Sequence, residues 1–394
     1  MKEKKVVGAD PYVLYDEVSG NYYCYATGGS NNKSFFIYKS KDLINWVFIN
    51  YALDLTHYNI WGKDWFWAPE CYYNPNNKHY YLFYSARVKD ELTEKYFLDS
   101  KYLETCKIGV AVSSSPEGPF VNITNEPLDY YPFDEEYKPI EDISNNYFEL
   151  HDDLLLNNVS KGKHIPIIDV NLLFDDDKIY MYFSRCCYMN CRFDKTFNKF
   201  IEESHIAGVE LDTEWWFDKE AKTMPKIKSQ YHNINVKTKV RQDKFVTLIS
   251  YYLEAQEWEN RHINDYEKFN KTERNRRWSE GSTTFIVKDN DKKKYYLTYS
   301  CNYFSDKYYG VGIASSDTPL GKYKKYENNP IIVQNDNVLS TGHGSVVYYN
   351  NELYYFLHGR DEIDNPRILY VTKLKINDNK VTHAELIKCN LIEE

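Results

Sequence analysis

The sequence lacks any long apolar segment. None of its hydrophobic runs approaches the roughly eighteen residues that a membrane-spanning helix needs. The first residues, MKEKKVVGADPYV, carry charge but no apolar stretch like that of a secretion signal. We therefore expect no membrane association, and the chain as given shows no secretion signal, which leaves its cellular compartment open.

Clustered positive charge is missing too. The 394 residues include 49 Lys and Arg against 58 Asp and Glu, a formal net charge of -9. Nucleic-acid binding draws on a concentrated positive patch, and the short basic runs near Arg276 and Lys293 are interrupted by acids or polar residues. We expect no nucleic-acid partner.

Several catalytic signatures are also absent. The chain contains no glycine-rich phosphate loop, no GxSxG nucleophile elbow and no HExxH zinc motif. Its eight cysteines include no CxxC pair. For Cys186, Cys187 and Cys191 we favour core packing over a disulfide, and a disulfide over zinc, because no fourth ligand is visible. Cys24, Cys71 and Cys301 lie in expected strands, where buried thiols are predicted.

Aromatic residues are abundant, at 17% of the chain with 39 Tyr. Tyrosine favours half-buried strands, and its ring also stacks on sugars. Most of these residues fall in a unit that recurs five times. Each unit opens on an acidic or His residue, and a Tyr-rich strand follows roughly ten to fifteen residues later, the spacing of a β-meander. The five opening segments are GADPYVLYD at Asp10, WAPECYYNP at Glu70, IIDVNLLFD at Asp169, SEGSTTFIV at Glu280 and GHGSVVYYN at His343.

The repeat predicts an all-β fold. A third strand is visible in every unit and a short fourth in several, which indicates a five-bladed β-propeller with four-stranded antiparallel blades around a central axial pocket. We expect one domain over residues 1–394. Two insertions, about 125–166 and 212–278, are expected to be surface loops that wall the pocket or pack over the blades. In the second, TLISYYLEAQEWENRHI is compatible with a strand plus a short helix or with one helix.

Four of the opening residues carry carboxylates, and in a propeller the first strands of all blades meet at the axis. Two carboxylates facing a sugar can hydrolyse a glycosidic bond, one protonated as acid and the other ionised as base or nucleophile. A third nearby would keep the acid protonated by charge repulsion. Asp10, Asp169 and Glu280 meet these requirements in kind, although spacing alone does not assign their roles.

The chain contains, in this order, the motifs ADP, SKDLINW, WAPE, DxNLLFDD, EG and GHGS, with Tyr-rich strands between them. Together they resemble glycoside hydrolase family 43 over the whole chain apart from the insertions. The resemblance implies an inverting enzyme acting on arabinose- and xylose-containing plant polysaccharides. It makes Asp10 the general base, Asp169 the residue that raises the pKa of the acid and orients it, and Glu280 the general acid.

The resemblance also implies residues around these acids. Trp67 and Arg360 would contact the sugar. His343 would contact the sugar or, through water, hold a structural calcium ion near the axis, and no cofactor is required. Glu70 is expected to make structural hydrogen bonds only.

The leading functional hypothesis is an exo-acting α-L-arabinofuranosidase, β-D-xylosidase or both, whose partner is a plant arabinoxylan, arabinan or derived oligosaccharide. One alternative is an endo-α-1,5-L-arabinanase. Another, from a different class, is a non-catalytic carbohydrate-binding propeller, which would have degenerate acids at these positions, whereas here all three are present.

Overall fold

The computed structural model describes residues 4–135, 162–187, 193–194, 199–200, 203–261, 278–289, 292–377 and 380–393. Five antiparallel sheets of the described chain surround one axis, which confirms the predicted five-bladed β-propeller. In each blade the first strand is innermost, and the next strands follow outward in chain order.

Blade 1 and blade 2 come from the first third of the chain. Blade 1 consists of β2 (Ala9–Asp16), β3 (Asn21–Ser30), β4 (Lys33–Ser40) and β5 (Asn45–Asp54), preceded by the short β1 (Lys4–Lys5). Blade 2 consists of β6 (Gly62–Asn74), β7 (His79–Val88), β8 (Cys106–Ser113) and β9 (Val121–Asn122). Helix α1 (Asp90–Phe97) lies between β7 and β8 and was not predicted, although acids in its first turn and Lys95 in its last are typical helix signals.

Both insertions adjoin blade 3, the first before its inner strand and the second after its third strand. The first contributes β10 (Phe133–Asp134) and β11 (Lys163–His164), and its residues 136–161 lie outside the described part. Blade 3 itself consists of β12 (Ile167–Asp175), β13 (Lys178–Cys187), β16 (Glu203–Leu211) and β17 (Val246–Ile249), with the hairpin β14 (Phe193–Asp194) and β15 (Lys199–Phe200) between. The second insertion thus begins inside blade 3, contains the helix α2 (Glu214–Phe217), and returns as that blade's outer strand.

The segment TLISYYLEAQEWENRHI resolves as the first of its two predicted forms. It contains β17 followed by a short 3₁₀ turn at Glu257–Asn260.

Blades 4 and 5 complete the ring. Blade 4 consists of β18 (Ser279–Asp289), β19 (Lys292–Cys301), β20 (Gly310–Ser316) and β21 (Lys324–Lys325). Blade 5 consists of β22 (Leu339–Tyr349), β23 (Glu352–Arg360), β24 (Ile368–Asn377) and β25 (Lys380–His383), with β26 (Ile387–Lys388) also paired to β24.

Both ends of the described chain close the ring. The last strand, β27 (Asn390–Leu391), pairs with β1 and with the outer strand β5 of blade 1. In return, Val7 forms a bridge with Ile368 of blade 5, and the Leu369 amide donates to the Val6 carbonyl. The sequence left this closure open.

The core is divided among the blade interfaces, because each sheet is covered on both faces. In β7, Tyr80, Leu82 and Tyr84 pack toward blade 1, while Tyr81 and Phe83 pack toward blade 3. A strand buried on both faces needs apolar side chains at successive positions, which explains the Tyr-rich runs.

The insertion tryptophans mostly belong to this core. Trp215 is fully buried against blades 2 and 3, Trp216 packs on Phe174, and Trp258 is buried near Tyr299. Trp278 alone of the four lines the axial pocket.

The predicted buried thiols Cys24, Cys71 and Cys301 are confirmed as buried and free. Cys186 is also buried, beside Ile168 and Cys106, whereas Cys191 lies outside the described residues. Within the part of the chain that the structure describes, no helix is long and apolar enough to cross a membrane.

Candidate active site

A cavity of about 350 Å³ opens at the propeller axis, where the first strands of the blades meet. The three predicted carboxylates Asp10, Asp169 and Glu280 all line it, from β2, β12 and β18, and each is at most 8% exposed. The other lining residues are Trp65, Trp67, Ile168, Trp278, Asn302, Tyr303, Phe304, His343 and Arg367.

A bulge in every inner strand delivers side chains to this cavity. At each bulge one residue adopts the left-handed conformation, with φ between 42° and 58°. The five residues are Asp10, Ala68, Asp169, Gly281 and His343. Glu280 therefore lies one residue before the equivalent position and Glu70 two residues after it, so the five acidic or His residues are not structurally equivalent as the repeat suggested. An inserted residue in a bulge changes which face the following side chains occupy, and the sequence repeat does not show where it falls.

One hydrogen bond holds each bulge to the preceding blade. The amide of each left-handed residue donates to a side chain on the second strand of that blade. The pairs are Ala68 with Thr27 Oγ1 at 2.7 Å, Asp169 with Ser85 Oγ at 2.9 Å, Gly281 with Ser184 Oγ at 3.2 Å, His343 with Ser300 Oγ at 2.7 Å and Asp10 with His358 Nδ1 at 3.1 Å. We call these five bonds the latches. Sequence reasoning missed them, although Thr, Ser or His stands near the end of all five Tyr-rich strands.

Asp10 is surrounded by cationic or potentially cationic groups. Its Oδ1 lies 3.3 Å from His343 Nδ1 and 3.3 Å from Arg367 Nη1. Burial alone would raise the pKa of Asp10, but the neighbouring His343 and Arg367 hold it well below its usual value. The Asp10 carboxylate is therefore ionised across the physiological pH range.

Asp169 and Glu280 have the opposite tendency. Burial and the Asp10 charge raise the pKa of Asp169 to about 7, although its Oδ2 accepts bonds from Ser184 Oγ at 3.0 Å and Gly281 N at 3.1 Å. Burial and the Asp169 charge likewise raise the pKa of Glu280 to about 7. Near neutral pH, one cavity thus holds an ionised carboxylate and a protonated one.

Two donors fix the Glu280 carboxyl group. Trp278 Nε1 donates to Oε2 at 2.6 Å, and the Tyr309 hydroxyl donates to Oε1 at 2.6 Å. Next to this group, Gly281 is required by space as well as by φ, since a Cβ there would lie 2.6 Å from His343 Cγ.

Aromatic side chains form the walls. Trp65 and Trp67 stack with their ring centroids 5.0 Å apart, and the Arg87 guanidinium covers the Trp65 ring at 3.9 Å. Trp278 and Phe304 face the cavity from other sides. Apolar, aromatic walls around a few polar groups are the usual composition of a small-molecule binding site.

The sequence matches the profile of Glycosyl hydrolases family 43 over residues 4–136 and 249–381, more than half of the chain. The chain belongs to this family. No curated protein matches the sequence.

Solved structures of similar fold include family 43 enzymes. An endo-1,4-beta-xylanase from Bacteroides thetaiotaomicron is 25% identical, with 100% of this chain and 99% of that chain covered at a TM-score of 0.64. A thermostable family-43 glycoside hydrolase is 26% identical, with coverages of 98% and 94% and a TM-score of 0.63. A Cellvibrio cellulosa alpha-L-arabinanase complexed with arabinohexaose is 16% identical, covers 99% and 100%, and has a TM-score of 0.57, which supports the fold alone.

The other predicted site residues of this family 43 protein lie in different places. Trp67 and His343 line the cavity, but Arg360 does not. Arg360, at the end of β23, donates to the Asn365 carbonyl, and Arg367, just before β24, occupies the cavity instead. Both arginines lie in the same loop region, and the sequence pattern does not show which one turns inward.

Glu70 lies at the axis outside the cavity lining. Its carboxyl group accepts bonds from the Tyr72 hydroxyl and from Asn171 Nδ2, and the Asn171 Oδ1 accepts the Thr284 amide of blade 4. Burial raises the pKa of Glu70 to about 8. These contacts join the inner strands of blades 2, 3 and 4, as expected for a structural role.

The described residues provide few ligands for a metal ion. Among the described residues no three His, Cys, Asp or Glu side chains are grouped so as to hold a metal ion. His343 Nδ1 lies against Asp10, so an axial calcium ion would depend on water ligands, and we derive no step through it.

Proposed function

We propose that this family 43 glycoside hydrolase removes terminal pentosyl units, α-L-arabinofuranose or β-D-xylose, from arabinoxylan, arabinan or their oligosaccharides with inversion of configuration. The observation that carries the proposal is the separation of proton affinities among three carboxylates in one aromatic-walled cavity. The pKa of Asp10 lies well below its usual value, whereas the pKa values of Asp169 and Glu280 are both raised to about 7.

In the proposed reaction, ionised Asp10 removes a proton from water, which attacks the anomeric carbon. Protonated Glu280 donates to the departing glycosidic oxygen, so the C–O bond breaks as the new one forms. Asp169 raises the pKa of Glu280 through its charge and holds the Gly281 amide next to the acid. The arginine that faces Asp10, Arg367, is available to contact the sugar hydroxyls.

Exo action is favoured by the size of the cavity. About 350 Å³ with aromatic walls on several sides suits a small part of a chain better than many consecutive units. The second candidate is an endo-acting xylanase or arabinanase, which is favoured by the similarity to an endo-1,4-beta-xylanase and to an alpha-L-arabinanase.

The decisive experiment measures both glycone and cleavage mode. The nitrophenyl glycosides of α-L-arabinofuranose and β-D-xylopyranose report the glycone, and linear xylo- and arabino-oligosaccharides report the products. Release of monosaccharide alone from the oligosaccharides supports exo action, whereas mixed shorter oligosaccharides would establish the endo candidate.

Two variants test the assigned chemistry. Asp10→Asn is expected to lose activity on every substrate, and Glu280→Gln to lose activity on oligosaccharides while it still binds them. A non-catalytic binding propeller would show no turnover in the wild type either. Wild-type activity that both variants retain would overturn the assignment.

A further inference from the structure

The general acid and the general base proposed above sit on different blades, and one set of buried groups outside the carboxylate triad touches both. These groups are Tyr309, His358 and Gly342. Tyr309 precedes β20 in blade 4, whereas Gly342 and His358 face each other across β22 and β23 of blade 5.

On the acid side, the Tyr309 hydroxyl donates to Glu280 Oε1 at 2.6 Å, and Tyr309 is 1% exposed. Burial and the neighbouring Glu280 charge raise the pKa of Tyr309 well above its usual value, so the phenol keeps its proton. Because Trp278 already donates to Oε2, both carboxyl oxygens are held by fixed donors. The carboxyl plane cannot rotate without the loss of a buried hydrogen bond.

On the base side, His358 holds the Asp10 latch through Nδ1. Burial and Arg367 lower the pKa of His358 to about 3, so the ring is neutral and Nδ1 is free to accept the amide proton. The other four latches use Ser or Thr hydroxyls, which are smaller. His358 Nε2 is buried without a partner among the described side chains, a cost that a hydroxyl would avoid. We therefore attribute the histidine at this latch to a ring-stacking contact that a hydroxyl side chain cannot make.

That contact is with Tyr309. The two rings stack with centroids 5.7 Å apart and planes 14° from parallel. Close packing against backbone holds the same phenol ring, since a Cβ on Gly342 would lie 2.1 Å from a Tyr309 ring carbon. The phenol therefore has one available position, set by blade 5.

We propose that Tyr309, seated on His358 and Gly342, is a bridge that positions the general acid Glu280 relative to the general base Asp10 and so fixes the gap in which water and the scissile bond must fit. An inverting reaction needs a carboxyl separation of roughly 6.5–9.5 Å, and a shift of about 1 Å lowers the rate strongly. Tyr309 and His358 are positioning residues, and this inference rests on the proposed function.

The test compares two substrates with the same glycone. The dinitrophenolate group of a 2,4-dinitrophenyl glycoside leaves without protonation by an acid. The leaving oxygen of the corresponding disaccharide must be protonated. Tyr309→Phe removes only the hydroxyl, so we expect kcat/KM to fall at least about ten-fold more on the disaccharide than on the dinitrophenyl glycoside.

His358→Ser installs the hydroxyl that other blades use and removes the ring that supports Tyr309. The bridge predicts that this variant, too, loses more activity on the disaccharide, although His358 bonds to Asp10 and not to Glu280. The double variant should lose less than the product of the two single losses, because both changes disrupt one unit.

Tyr299→Phe is the matched control. Tyr299 is a fully buried tyrosine of blade 4 whose hydroxyl donates to a carboxylate, Glu259, at 2.7 Å, outside the cavity lining. Its variant should change stability but not the ratio of the two substrates.

Three results would overturn the bridge: equal losses on both substrates for Tyr309→Phe, equal losses for His358→Ser, or multiplicative effects in the double variant. Glu280→Gln separates the two proposals. If that variant still cleaves the disaccharide, the acid assignment itself fails. If it loses the disaccharide but retains the dinitrophenyl glycoside while Tyr309→Phe behaves like Tyr299→Phe, only the bridge fails.

Discussion

At the scale of single residues, three carboxylates of similar intrinsic acidity differ because of their neighbours. Asp10 faces Arg367 and His343, whereas Asp169 faces Asp10, and Glu280 faces Asp169. Burial alone would raise the pKa of all three, so the placement of Arg367 and His343 beside Asp10 decides which one stays ionised.

This arrangement predicts the pH profile of the reaction. The proposed mechanism requires a protonated Glu280, so kcat/KM on oligosaccharides should fall as the pH rises through about 7. The proposed mechanism also requires an ionised Asp10. Because the pKa of Asp10 is lowered, its protonation should not reduce kcat/KM until the pH falls below the usual pKa of Asp. Initial rates measured from about pH 5 to 8, where folds tend to be most stable, check this expectation.

Asp169→Asn gives the matching test, because the Asp169 charge raises the pKa of Glu280. The descending limb should shift to lower pH, and overall activity should fall. A limb that stays in place or moves upward would contradict the assigned role of Asp169.

Gly281 offers a residue-scale test of the bulge. Gly281→Ala introduces a side chain at a φ of 58°, which costs about 1–2 kcal/mol in unfolding free energy. The added Cβ would also clash with His343, whose Cγ lies only 2.6 Å away. We expect this variant to lose both stability and activity. Gly20→Ala is the control, with a φ of 66° and open space around the added carbon. Its cost should be the backbone strain alone, and equal effects of the two changes would argue against the steric role of Gly281.

At the scale of elements, the five inner strands share one device, a left-handed bulge latched to the preceding blade. The repeated strands could be predicted because burial on both faces of a sheet leaves runs of apolar and aromatic residues in the sequence. The bulge position could not, since it depends on packing against the neighbouring blade. For this reason Glu70 and Glu280 were aligned with Asp10 by sequence but occupy other positions in the bulges.

The latches predict a separation between stability and activity. Ser85→Ala leaves the buried Asp169 amide without an acceptor and should cost roughly 1–3 kcal/mol in unfolding free energy. Because Asp169 would also move, kcat/KM should fall. Thr27→Val removes the equivalent latch at Ala68, which carries no proposed catalytic group, and should reduce stability with a smaller effect on kcat/KM. Denaturant unfolding and initial rates of both variants check this, and equal activity losses would contradict the latch as a positioning device for Asp169.

At the scale of the whole molecule, the ring is held shut by a short exchange of strands between the two ends of the described chain. Cys389 is fully buried, its amide donates to Leu369 of blade 5, and the next amide, from Asn390, donates to Ile44 of blade 1. The last residues thus bind two blades at once.

Removal of residues 387–394 should therefore lower the melting temperature markedly, because β26 and β27 are lost and the outer edge of blade 1 is uncovered. Removal of residues 393–394 is the control, since the Glu393 side chain is largely exposed and forms a surface ion pair with Lys4. Thermal unfolding of the two truncated proteins makes the comparison. Equal melting temperatures would show that the strand exchange contributes little to closure.

The sequence by itself determined the fold class, the number of blades and the three carboxylates in the cavity, because strand periodicity and short motifs are local and repeat five times. Only the tertiary structure decided that Arg367 rather than Arg360 lines the cavity, and that the stacked rings of His358 and Tyr309 contact Asp10 and Glu280. It also decided how the ring closes. These features depend on contacts between residues far apart in the chain, and the geometry of a bulge or a loop, which no local pattern records, decides which side chains meet.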